Sequence, residues 1–195
     1  GIVAGGKVAI LAGVGPMGLG AIDYALHGNI KPSLVVVTDV DDARLQRAES
    51  IFTVEDAAKD GIKLVYLNTG KVENPVEELM KVSDNTGYND VFVFAPVAPV
   101  VEQGDAILAH DGCLNFFAGP TKTDFSAKFN FYNVHYNATH IVGTSGGNTD
   151  DMREALSLAS EGQLNTAVMV THIGGLDAAI STTLNLPNIK GGKKL

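Results

Sequence analysis

The sequence has one cysteine, no cluster of basic residues, and no apolar run near the roughly 18 residues that a membrane-spanning helix needs. Each shortage excludes something. With Cys113 alone, an internal disulfide is impossible and so is a metal site built from several thiolates. A single thiol also suits a reducing cytoplasm, where this chain is expected. The missing apolar run argues against a membrane protein, and the first residues lack the charged-then-apolar pattern of a secretory signal. Without that signal, Asn137-Ala138-Thr139 reads as a chance glycosylation sequon. The 14 basic residues are outnumbered by 22 acidic ones, giving a net charge of −8 and no footprint for nucleic acid. Charge of either sign is scarce. At 18% charged and 45% hydrophobic residues, the 195-residue chain suits a parallel sheet covered on both faces.

Hydrophobic runs alternate with helical stretches along the chain. Residues 7–12 (KVAILA) form a short β-prone run between Gly5-Gly6 and Gly13, followed by a helical stretch over 19–26. Residues 34–38 (LVVVT) predict a second strand. A helix over 41–55 follows it, with Asp41 or Asp42 placed to cap it. A strand over 63–68, a helix over 75–82, a strand over 90–95 and a helix over 101–109 continue the pattern. Strands over 113–118 and 140–143 and a helix over 150–160 complete it. Parallel strands need crossovers of this length, so the reading is α/β: a doubly wound, six-stranded parallel sheet in one domain spanning 1–195. Residues 121–139 break the pattern. They hold Phe125, Phe129, Phe131, Tyr132 and Tyr136 without a clean period, which reads either as cover for the core or as an interface.

The loop after the first strand, Gly13-Val14-Gly15-Pro16-Met17-Gly18, has the spacing of a Rossmann dinucleotide fingerprint in the required strand-to-helix context. The first glycine makes the turn, the second lets a pyrophosphate approach the backbone, and the third lets helix and strand pack closely. The helix N-terminus adds unpaired N–H groups and partial positive charge. Pro16 suits the first helical turn. At the end of the second strand, 26 residues after Gly13, Asp39 is placed to accept both hydroxyls of an adenosine ribose. It would repel a 2′-phosphate, so NAD is expected over NADP. Arg44 lies either over the adenosine half or in solvent as a helix charge.

Other glycine chemistries fail on particular residues. Residues 1–7 mimic a phosphate-binding P-loop, but Val8 stands where Ser or Thr is required, and the motif precedes a strand. A methyltransferase would also place an acid after its second strand, but its glycine loop lacks the Pro16-Met17-Gly18 helix entry. No tyrosine has a lysine four positions on, which excludes the Tyr-x-x-x-Lys pair of short-chain reductases. His27, His110, His135, His140 and His172 show no zinc-ligand spacing, and Ser145 has no His-Asp partners. The chain therefore reads as holding a hydride carrier, with no catalytic residue and no metal ligand of its own.

Four stretches together resemble the cofactor domain of the zinc-dependent medium-chain alcohol and polyol dehydrogenases. They are VAILAGVGPMGLGAIDYAL, VVVTDVDDARLQRA, DVFVFAPVAPVVEQGDAILAHDGCLNFFAG and HIVGTSGGNTDDMREALSLASEGQLN. Within that family, DGCLNFFAGP and VTHIGGLDAA resemble the L-sorbose-1-phosphate reductase branch. The resemblance implies a separate zinc-bearing catalytic domain, a sugar, polyol or sugar-phosphate substrate, and a homo-oligomer formed along the sixth strand. It also implies that Ala95-Pro96-Val97, Ala118-Gly119-Pro120 and Thr144-Ser145-Gly146 line the cofactor cleft. Ala95-Pro96 departs from the family's usual small-residue and glycine turn, which weakens the contacts implied nearest the nicotinamide. The start at Gly1, and residues 191–195 reading as the opening of another strand, fit a piece of a longer protein. A rival reading is an NAD-sensing module that transfers no hydride.

Overall fold

The computed structural model describes residues 1–143 and 145–189. Six parallel strands form its centre: β1 (Lys7–Leu11), β2 (Leu34–Asp39), β3 (Lys63–Asn68), β4 (Tyr88–Val93), β5 (Leu108–Phe116) and β6 (His140–Val142). Their order is β3-β2-β1-β4-β5-β6, the doubly wound Rossmann arrangement, with the direction of winding reversing between β1 and β4. The sixfold parallel sheet expected from the alternating pattern is therefore present.

Side chains alternate between two cores. Val8, Ile10, Val35, Val37 and Leu64 face one side, packed under α1 (Pro16–His27), α2 (Asp42–Ile51) and α3 (Val54–Lys59). Ala9, Leu11, Val36, Val91, Val93 and Leu114 face the other, under α4 (Pro75–Val82) and α5 (Ala98–Ala106). Every residue of β2 is buried, as expected of a central strand without polar alternation. Burying each large aliphatic side chain contributes about 1.5–3 kcal/mol before chain entropy is subtracted.

Several element boundaries differ from the sequence reading. The first strand stops at Leu11 because Ala12 adopts the left-handed region at φ 52, and α1 starts at Pro16 rather than 19. The helix expected over 41–55 is two helices. Thr53 interrupts it, extended, with its side chain accepting from the Asp56 N–H to start α3. Asp41, of the two candidates, caps α2 by accepting from Ala43 and Arg44. The helix expected over 101–109 is α5, which begins and ends three residues earlier. The fifth strand begins at Leu108, with a register shift opposite Tyr88 and Asp90.

The aromatic segment divides in two. Phe125 stacks on Phe116 at 5.6 Å, and Phe129 packs on the α5-side core. A further helix, α6 (Phe131–Tyr136), then leaves Phe131, Tyr132 and Tyr136 exposed. Beyond β6 come α7 (Thr149–Ser160), started by a capping box on Asn148, and α8 (Ala179–Asn185). The strand expected to open at 191–195 lies outside the described residues. No described helix is long and apolar enough to cross a membrane.

Candidate functional site

The carboxyl ends of the strands carry the candidate site, and hydrogen bonds between neighbouring ends hold it in shape. Gly13 N donates to the Thr38 carbonyl at 3.0 Å and Ala12 N to Thr38 Oγ1 at 3.3 Å, fixing the glycine loop to the end of β2. Phe94 N donates to the Leu11 carbonyl and Ala118 N to the Val93 carbonyl, each at 3.0 Å. Sequence reasoning passed over Thr38, because a bond to the neighbouring strand leaves no local signal.

The three glycines have different surroundings. A Cβ on Gly18 would lie 2.0 Å from the Gly13 carbonyl oxygen, and one on Gly13 would lie 2.2 Å from Ile10 Cγ2. Both are required by packing inside the chain. Gly15 is not. Its backbone is ordinary extended chain (φ −76, ψ 173), and a Cβ there would meet nothing within 4 Å. Neither backbone strain nor a neighbouring side chain explains this glycine. Gly15 also heads α1, whose N-terminus has Pro16 in its first turn, no side-chain cap and no acidic residue. Met17 is the exposed residue of the loop, and Val14 is buried. An uncapped helix start beside an open glycine fits a pyrophosphate.

Asp39 ends β2 with its side chain almost wholly buried. Its Oδ1 accepts from Val40 N at 2.8 Å and Asp41 N at 3.1 Å, which fixes the carboxylate's direction. No donor among the described residues engages Oδ2, so one oxygen remains for a ligand. Arg44, in the first turn of α2, has its Nε 3.8 Å from Asp41 Oδ2, and that Nε has no hydrogen-bond partner among the described residues. Across the sheet, Ala95, Pro96 and Val97 lead into α5, which also lacks a side-chain cap. Ala118 is buried, while Gly119 is exposed and a Cβ on it would meet nothing within 4 Å. Ser145 is exposed, and Thr144 lies outside the described residues. From β2 to β6 the strand ends span about 19 Å at the usual inter-strand spacing, the shape of an extended ligand.

A second feature at the β2 end was not foreseen. Asp42 carries hydrogen bonds from Lys71 and Asn68, which hold its carboxyl below the usual aspartate range, the Lys71 bond most strongly. Nothing in sequence spacing links residues 26 and 29 positions apart.

Three histidines have close polar partners of their own. His27 pairs with Asp23 at 2.7 Å, His140 with Asp111 at 2.8 Å, and His172 with Thr171. Among the described residues no group of three or more His, Cys, Asp or Glu side chains is placed to hold a metal ion, so these residues do not fit a zinc centre. A concavity of about 960 Å³ is lined, among the described residues, by residues between His172 and Ile189, none of them at the strand ends.

With this geometry in place, comparison with known proteins is specific. The zinc-binding dehydrogenase family matches residues 16–161. The chain is 57% identical, over its whole length, to 46% of a mannitol-1-phosphate 5-dehydrogenase from Aliivibrio fischeri. It is 50% identical, over 97% of its length, to 45% of an L-sorbose 1-phosphate reductase from Klebsiella pneumoniae. It thus spans about half the length of the curated relatives it matches. Among solved structures, benzyl alcohol dehydrogenase from Acinetobacter calcoaceticus superposes with a TM-score of 0.75 at 18% identity, covering 96% of this chain and 48% of that one.

Proposed function

The chain belongs to the zinc-binding dehydrogenase family, and from that premise we propose that it is the NAD-binding domain of a zinc-dependent sugar, polyol or sugar-phosphate dehydrogenase. Gly15 carries the cofactor part of this reading, since it has open space where a Cβ would be and an uncapped helix behind it. The backbone of residues 13–18 binds the pyrophosphate. Asp39 accepts ribose hydroxyls through Oδ2 and disfavours a 2′-phosphate, so NAD is bound in preference to NADP. Ala95, Pro96, Val97, Ala118, Gly119 and Ser145 line the nicotinamide half, with Arg44 at the adenosine end. Bound nicotinamide supplies the hydride acceptor or donor at its C4.

The names of the two enzyme relatives support a sugar phosphate as substrate. Zinc and the residues that act on the substrate belong to a separate domain of the longer protein, which works in the cytoplasm as a homo-oligomer. Residues 1–195 form one domain that binds NAD without turnover. Calorimetry with NADH and NADPH tests the reading. The wild-type chain prefers NADH, and Asp39→Ala weakens NADH about 10- to 100-fold, the loss of charge-assisted hydrogen bonds. Unchanged NADH affinity in Asp39→Ala would make the ribose assignment wrong.

A further inference from the structure

Beyond Asn68 the chain turns through Thr69–Lys71, and this turn reaches back to the loop that follows Asp39. Asp39 and Asn68 are register partners on β2 and β3, so the turn lies one strand from the ribose carboxylate. Asn68 Nδ2 donates to Asp42 Oδ1 at 2.7 Å and to the Val40 carbonyl at 3.3 Å. Lys71 Nζ lies 2.6 Å from Asp42 Oδ2. Gly70 fits closely over Val40, whose Cβ would be 3.4 Å from a Cβ at residue 70. Both oxygens of one carboxylate are thus committed to the turn after β3.

An exposed ion pair of this kind contributes little to folding. Its consequence is for local charge. A lysine free to move beside an adenosine ribose would attract a 2′-phosphate by a charge-assisted contact. A lysine held by Asp42 offers that phosphate no net positive charge. Arg44, on α2, also faces an acid, with Nε 3.8 Å from Asp41 Oδ2.

We propose that Asp42 is a specificity-determining residue, which holds Lys71 in a closed ion pair and thereby keeps the ribose end of the site selective against a 2′-phosphate. The proposal rests on the dinucleotide reading given above. Asn68 positions the carboxylate for this role by occupying the oxygen that Lys71 does not use.

The test is calorimetric titration of the purified chain with NADH and with NADPH, at low and at high salt. Asp42→Asn keeps an oxygen for Asn68 and removes the charge that holds Lys71. The ratio of NADPH to NADH affinity rises about three- to tenfold at low salt. The rise shrinks at high salt, because the released charge is exposed. Asp42→Asn combined with Lys71→Met returns the ratio to the wild-type value, while the melting temperature of the free protein changes little in either variant. An unmoved ratio in Asp42→Asn, with NADH still bound, overturns the proposal. A ratio that stays raised in the double variant overturns it too, since the effect would then come from losing an acid and not from releasing Lys71. A wild-type chain that binds neither cofactor fails earlier, and takes the dinucleotide reading down with the proposal.

Discussion

Gly18 and Gly13 touch each other through the turn between β1 and α1, so a methyl group at either position has to displace backbone or a core isoleucine. Gly18→Ala is expected to destabilise the fold by about 1–3 kcal/mol, the usual cost of overpacking, which chemical denaturation of the purified chain measures. Asp90 offers a second test at this scale. Its side chain is buried on β4 with Oδ2 unpaired, and burial lifts its carboxyl above the usual aspartate range. A backbone hydrogen bond from Val3 acts in the opposite direction but is outweighed. A carboxyl raised by folding keeps a proton that the unfolded chain has released. Its contribution is complete below the ordinary aspartate pKa of 3.8 and is lost as pH rises through the folded value. Asp90→Asn removes that loss, so its melting temperature should gain on wild type as pH rises above the ordinary aspartate pKa of 3.8. An offset independent of pH would contradict this account of Asp90.

Between elements, one tie outside the sheet joins α1 to the chain after α7. Asp23, buried on α1, accepts from Asn165 N at 2.8 Å through Oδ2 and pairs with His27 through Oδ1. The turn Thr166–Met169 then packs on α1 closely enough that a Cβ on Gly20 would lie 2.7 Å from Met169 Sδ. Asp23→Ala should cost about 1–3 kcal/mol by leaving the Asn165 N–H unpaired. It should also speed hydrogen exchange across residues 165–169, and unchanged exchange there would remove Asp23 from this role. The latch was invisible in the sequence because its partners are 142 residues apart and neither has a local signature. The strands were legible for the opposite reason: runs such as Leu34–Asp39 are β-prone and bounded by turn residues. The 41–55 stretch misled because its helical composition continues through Thr53, whose side chain favours starting a new helix over extending the old one. At the site, the Gly13, Gly15, Gly18 and Asp39 spacing was readable because the motif is contiguous with its strand and helix. The Asp42–Lys71 tie depends on which strands are neighbours, and spacing does not encode that.

At the scale of the whole molecule, the chain corresponds to about half of each curated relative it matches, and its chemistry is correspondingly one-sided. The strand ends are the proposed binding edge, and no group of three or more His, Cys, Asp or Glu among the described residues is placed to hold a metal ion. Residues toward the other end of the chain expose large apolar side chains, Ile173 and Leu176 each at 95%. The purified chain is therefore expected to show no polyol oxidation above that of a Gly15→Val control, and measurable turnover would place catalytic residues within these 195. The central claim is that the open space at Gly15 belongs to a dinucleotide pyrophosphate. Calorimetric titration of NADH into wild type and Gly15→Val, with melting temperatures measured alongside, tests it most directly. Expected are binding to wild type, a loss of at least about tenfold in Gly15→Val, and little change in melting temperature, because beyond its chain neighbours a Cβ at residue 15 would meet nothing within 4 Å. NADH binding equally tightly to both proteins would contradict it.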